Sequence, residues 1–236
     1  MNIHTYFDEV PGFNVENQLR LIDLWNESWS KRGWGPTMVN LATAKKHPRF
    51  GALQEAVAKL PTVNGHGYED TCYYRWPALA VCGGGWLSDY DVMNYGFLPE
   101  PPPEIFTTLS EVVYWKVPCV AGGTVEAINR FIEAIIAYKP DDQDALVAAG
   151  PPNSPDWRFY WGEPREGVRR PHCSDQVIAT RLAASRPDVI RSRFICHECY
   201  RGPWETAPLV HFPTGVMTPK GLEPKWKHIK GIRAFA

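Results

Sequence analysis

Cys82-Gly-Gly-Gly-Trp-Leu-Ser-Asp-Tyr-Asp-Val92 brings three glycines, a short apolar run and two carboxylates together. Trp86 and Leu87 read as a strand that ends at Asp89, Tyr90 and Asp91. Side chains alternate along a strand, so Asp89 and Asp91 are expected on one face. Two carboxylates that close repel each other, and an apolar strand end holds them comfortably only beside a cation. Gly83, Gly84 and Gly85 permit close backbone approach of a ligand. In open α/β sheets ligands bind beyond the strand ends. Hard divalent cations take carboxylate oxygens and keep positions open for substrate phosphates, so the stretch suggests such a cation with a phosphate-bearing ligand. A surface turn with two solvated acids is the alternative that these residues alone leave open.

Working outward, Asn2 to Phe7 reads as a first strand. Asn14 can cap a helix over 15–31, with Leu19, Ile22, Trp25 and Trp29 on its inner face. Thr37 to Leu41 reads as a second strand, and Pro48 can open a helix facing inward with Leu53, Val57 and Leu60. A third helix is expected from Glu69 to Val81, kinked or shortened by Pro77. This β-α-β-α start predicts an α/β fold around a mixed, mostly parallel sheet. Later strands are expected at Val112–Trp115, Pro118–Ala121, Val189–Phe194 and Leu209–Phe212. Helices capped by Thr124 and Ser174 lie between them, and 140–171 reads as loop.

The 236 residues suit a single domain with an ample core. The expected division is a first half over 1–98, a second half over 99–219 and a basic tail over 220–236. Formal charge is −1, which argues against general nucleic-acid binding. No apolar run approaches the roughly 18 residues that would cross a membrane, and the N-terminus does not read as a secretory signal. A cytoplasmic setting with reduced cysteines is therefore expected.

Asp70, Arg75-Trp76, Leu79, Gly84-Gly85-Trp86 and Asp89-Tyr90-Asp91 follow one another in a fixed order. That order resembles the DXD glycosyltransferases related to the Golgi α-1,6-mannosyltransferases. The wider chain is similar to small soluble polysaccharide glycosyltransferases of the GT-A fold. The resemblance implies a single Rossmann-like GT-A domain, with 1–98 as its nucleotide-binding half and 99–219 as its acceptor-side half, that binds a nucleoside-diphosphate sugar, a UDP- or GDP-sugar. It implies transfer, of the hexosyltransferase type, to a glycan, lipid-linked saccharide or other hydroxyl acceptor.

By the same resemblance, Thr5, Tyr6 and Phe7 hold base and ribose. Asp70, Arg75, Gly84, Gly85 and Asp89 line the donor. Asp89 and Asp91 serve a metal, Mn²⁺ or Mg²⁺. His211, in Leu209-Val-His-Phe-Pro-Thr-Gly215, completes the metal site, and Lys220 or Lys225 closes on the diphosphate. Asp175, in the first turn of a helix, faces the acceptor as base or supports the donor sugar, with Arg75 as its catalytic companion.

Trp157, Trp161 and Trp204 fall in loop-rich stretches where aromatic faces can stack on an acceptor sugar. The basic tail is a solvated end, a cover for the diphosphate or a peripheral contact with an anionic membrane. Two rivals stand beside the transferase: a non-catalytic carbohydrate- or nucleotide-binding module, and an interaction protein with zinc at His172, Cys173, Cys196 and Cys199.

Overall fold

The structure is a computed structural model and describes residues 1–10, 14–62, 66–110, 118–140, 145–149, 158–160, 169–199, 206–213, 226–227 and 229. Its first half runs β1 (Asn2–Tyr6), α1 (Val15–Ser30), β2 (Gly35–Val39), α2 (Leu41–Ala44), α3 (Phe50–Val57), α4 (His66–Val81), β3 (Gly85–Ser88) and β4 (Val92–Asn94). The second half runs β5 (Phe106–Ser110), β6 (Val120–Gly123), α5 (Val125–Ile136), β7 (Ala145–Ala149), β8 (Arg158–Tyr160), β9 (Arg169–Pro171), α6 (Asp175–Ser185), β10 (Ile190–Glu198) and β11 (Leu209–His211).

Eight strands form one sheet in the order β2-β1-β3-β6-β5-β10-β11-β4. β1 runs parallel to β2 and β3, and β10 runs parallel to β5 and β11. β6 is antiparallel to both its neighbours, and β4 is antiparallel to β11. The mixed, mostly parallel sheet expected from the sequence is therefore present. β7, β8 and β9 form a separate antiparallel sheet within the stretch expected to be loop.

Each face of the large sheet carries an apolar layer. One gathers Leu53 and Val57 of α3, Trp76 and Leu79 of α4, Phe131 and Ile132 of α5 and Ile178 of α6. The other gathers Trp25 and Trp29 of α1 with Trp34, Trp86, Val92, Leu209 and Phe212. Buried indoles satisfy their N–H groups at specific acceptors, as burial in an apolar layer requires. Trp29 donates to Val92 O at 3.0 Å, Trp34 to Phe97 O at 2.9 Å and Trp86 to Glu100 O at 3.1 Å.

Asn14 caps α1 as expected, its Oδ1 accepting from Asn17 N at 2.9 Å. The buried face is Leu21, Leu24, Trp25, Ser28 and Trp29, while Leu19 is 43% exposed. At 3.6 residues per turn, Leu19 sits about 120° around the helix from Trp25, so both cannot face the sheet squarely. Pro77 lies inside α4, which starts one turn earlier than expected and continues to Val81. The proline removes one ladder donor without ending the helix.

β4 and β5 are strands the sequence pattern did not reveal, and the strand expected at Val112–Trp115 lies outside the described residues. Gly122 and Gly84 mark where β3, β6 and α5 crowd together. A Cβ on Gly122 would lie 2.5 Å from Gly85 O. One on Gly84, whose φ is +77°, would lie 2.8 Å from Gly123 O.

Candidate metal centre

β3 ends at Ser88, so Asp89-Tyr90-Asp91 is a tight turn into β4 and not a continuation of the strand. Three backbone bonds fix it. Asp89 N donates to Cys119 O at 2.7 Å, Val92 N to Asp89 O at 3.0 Å and Phe212 N to Asp91 O at 2.9 Å. Ser88 Oγ also donates to Asp89 O at 2.9 Å and receives the Trp25 indole N–H at 3.3 Å. The carboxylates converge because the chain turns; strand alternation is not the cause.

His211 arrives from the other end of the sequence. β11 pairs with β4 in the register Val92↔His211, which sets the imidazole beside the turn. A ligand atom from each of Asp89, Asp91 and His211 lies within 4.8 Å of the others, the one such group among the described residues. His211 Nε2 stands 3.4 Å from Asp91 Oδ1, and His211 is 7% exposed. Two carboxylates and an imidazole suit a borderline-hard divalent cation. Burial raises the Asp89 carboxyl to about 6; Arg75 opposes that shift, Asp91 adds to it and His211 opposes it.

Arg75 ties this group to α6. Its Nη1 donates to Asp89 Oδ1 at 2.5 Å, its Nη2 to Asp175 Oδ2 at 2.6 Å and its Nε to Cys72 O at 2.9 Å. Asp175 Oδ2 also accepts from Arg75 Nε at 3.2 Å and from Trp76 Nε1 at 3.1 Å. The guanidinium lies 4.5 Å from the Trp76 ring centroid. Burial disfavours its charge, but Asp175 and Asp89 together hold Arg75 above the ordinary guanidinium range. Burial likewise raises Asp175, while Arg75 and the Trp76 N–H oppose that shift. Ser174 caps α6, and Asp175 occupies its first turn, buried.

The other expected residues divide. Phe7 sits edge-on to Tyr90 with ring centroids 6.2 Å apart, whereas Thr5 and Tyr6 are buried within the fold. Asp70 lies five residues before Arg75 on α4, roughly 140° around the helix. Its charge, after burial, pushes the Tyr74 phenol upward. Gly84 and Gly85 lie at the opposite end of β3 from Asp89, where close packing of β6 and α5 accounts for Gly84. Lys220, Lys225, Trp157, Trp161 and Trp204 lie outside the described residues.

The zinc alternative does not assemble among the described residues. Cys196 Sγ is 3.8 Å from Cys119 Sγ, His172 faces Glu69 at 4.0 Å, and Cys173 O accepts from the Tyr73 hydroxyl.

Three contacts of the start of α1 were not legible in the sequence. Gln18 Nε2 donates to the Tyr90 hydroxyl at 2.9 Å, placing the start of α1 over the residue between the two carboxylates. One helical position away, Asn17 Oδ1 accepts from Trp226 Nε1 at 3.2 Å, and Arg20 lies 5.0 Å over the Trp226 ring. Trp226 thus docks on the same end of α1. Only the polarity of Asn17 and Gln18, ahead of the apolar stretch of α1, hinted at such a role.

No family model matches the chain, and no curated protein matches it. Among solved structures, one that it resembles bears the description "Crystal structure of a glycosyltransferase involved in the glycosylation of the major capsid of PBCV-1". The two are 11% identical over 98% of this chain and 100% of that one, with a TM-score of 0.45. A likeness at this level fixes neither fold family nor activity.

Proposed function

We propose that the protein is a divalent-cation-dependent glycosyltransferase that uses a nucleoside-diphosphate sugar, a UDP- or GDP-sugar. The observation that carries this reading is the convergence of Asp89, Asp91 and His211 beside the buried cation Arg75. Asp89, Asp91 and His211 are the ligands, and Mn²⁺ suits the mixed donor set. A bound cation would offset the negative charge that gathers on a departing diphosphate. Arg75, pinned on both sides, presents a fixed positive charge toward the same region without reorganising. Phe7 and Tyr90 offer aromatic surface to the nucleoside, within a nucleotide-binding half spanning 1–98.

Asp175 acts through Arg75 in this scheme, since its Oδ2 already receives three N–H donors. The acceptor, a glycan or lipid-linked saccharide, is assigned to Trp157, Trp161 and Trp204, and the diphosphate cover to Lys220. A cytoplasmic setting goes with this reading. Among the described residues no helix is long and apolar enough to cross a membrane.

Calorimetry with UDP and GDP, with and without Mn²⁺, tests the proposal. Cation-dependent binding of one nucleotide that Asp91→Ala abolishes is the expected result. Absence of nucleotide binding with the metal present overturns it.

A further inference from the structure

Cys119 and Cys196 lie immediately behind the candidate centre and take no part in it. Both are free thiols, 1% and 2% exposed, with sulfurs 3.8 Å apart. Cys119 precedes β6, and its carbonyl receives the Asp89 amide that starts the turn. Cys196 stands on β10 directly opposite Leu209, two residues before His211 on the same edge of β11. It also sits where the β10–β5 register slips, between Ser192 and Cys196. The sulfurs therefore face each other across two parts of the chain. One hangs on the backbone of Asp89; the other lies beside the strand that brings His211.

We infer that Cys119 and Cys196 form a redox modification site, closing to a disulfide that disturbs the Asp89–Asp91–His211 cluster. A disulfide needs about 2.05 Å between sulfurs, so closure draws the Cys119 turn and β10 toward each other. The amide bond from Asp89 transmits that movement to the first carboxylate, and β11 carries it to the imidazole. The oxidant is a small peroxide, because neither thiol is open to a bulky disulfide reagent. One thiol loses its proton and attacks a peroxide oxygen, giving a sulfenic acid and water. The second thiol then attacks that sulfur, the S–S bond forms and a second water leaves. Two thiols and one hydrogen peroxide become one disulfide and two waters. Cystine reduction by a dithiol reverses the change.

The effect on the cluster rests on the cation-binding reading above; the disulfide itself does not. The full chain is treated with hydrogen peroxide, digested without reduction and analysed by mass spectrometry. Mn²⁺ affinity is measured before treatment, after it, and after dithiothreitol. The expected result is a Cys119–Cys196 linked peptide 2 Da lighter than its two thiol forms. Mn²⁺ affinity is expected to fall about tenfold in the oxidised protein, returning on reduction. Cys196→Ala is expected to bind Mn²⁺ normally and to keep that affinity through peroxide treatment.

Absence of the linked peptide, while Cys72 or Cys199 is oxidised, overturns the site. A linked peptide with unchanged Mn²⁺ affinity overturns the coupling. A linked peptide in a protein that never binds Mn²⁺ leaves the disulfide standing and removes the proposed function instead.

Discussion

The Trp76 indole nitrogen donates to Asp175 Oδ2 at 3.1 Å, the same oxygen that holds Arg75. Trp76 is itself wedged edge-on against Phe106 and Phe131, with ring centroids 5.1 and 5.8 Å away. The apolar layer of the sheet is therefore wired directly to the charged cluster. Trp76→Phe keeps an aromatic ring in that layer and deletes the donor. Loss of a hydrogen bond to a charged group is expected to cost about 1.5–3 kcal/mol of stability in denaturant unfolding. Turnover should fall more than nucleotide affinity, because Arg75 loses one of the restraints on its partner.

Cation affinity should depend on pH. With Asp89 raised to about 6, below that pH the centre holds a proton there that a cation must displace. Affinity should be full above that value and decline as pH falls through it. Calorimetry near pH 6 in buffers of different ionisation enthalpy should detect proton release on Mn²⁺ binding. In folding, the sign runs as for any carboxyl raised above its unfolded value. Ionised Asp89 costs stability above about 6, and the cost is relieved on acidification.

Asp91→Asn and His211→Ala separate the ligands from the fold. Each should reduce Mn²⁺ affinity at least tenfold, since each removes one donor of three. Asp91→Asn should leave the far-UV spectrum unchanged, because the backbone bond from Phe212 N to Asp91 O is untouched. Unaltered Mn²⁺ affinity in both variants would count against the centre.

The glycines give an internal contrast. Gly122→Ala sets a methyl 2.5 Å from Gly85 O and 2.7 Å from the Trp86 ring, so overpacking of about 1–3 kcal/mol is expected. Gly51, in α3, has nothing within 4 Å of an added Cβ, and Gly51→Ala should stabilise by about 0.5–1 kcal/mol. Thermal denaturation of the two variants should shift in opposite directions.

The sequence discloses much of this architecture where hydrophobic period and capping residues coincide. The alternation of β1 to β3 with α1, α3 and α4 could be read directly, as could the caps Asn14, Thr124 and Ser174. His211 joined Asp89 and Asp91 only through the family resemblance, because its apolar neighbours read equally as a core strand. Pairing partners were not, because no local pattern says that β4 crosses to lie against β11. β4 is only three residues long, too short to carry a period. The contacts of Arg75 with Asp175, and of Gln18 with Tyr90, depend on how distant elements dock. Residue types alone leave such partners undetermined.

The register Val92↔His211 has a consequence for how the protein is made. The imidazole of His211 emerges 120 residues after the carboxylate of Asp91. Closing so long a loop is entropically slow, so this strand pair should join among the last. A nascent chain lacking β11 would have Asp89 and Asp91 without their third ligand. Tight cation binding would then report that β11 has paired with β4.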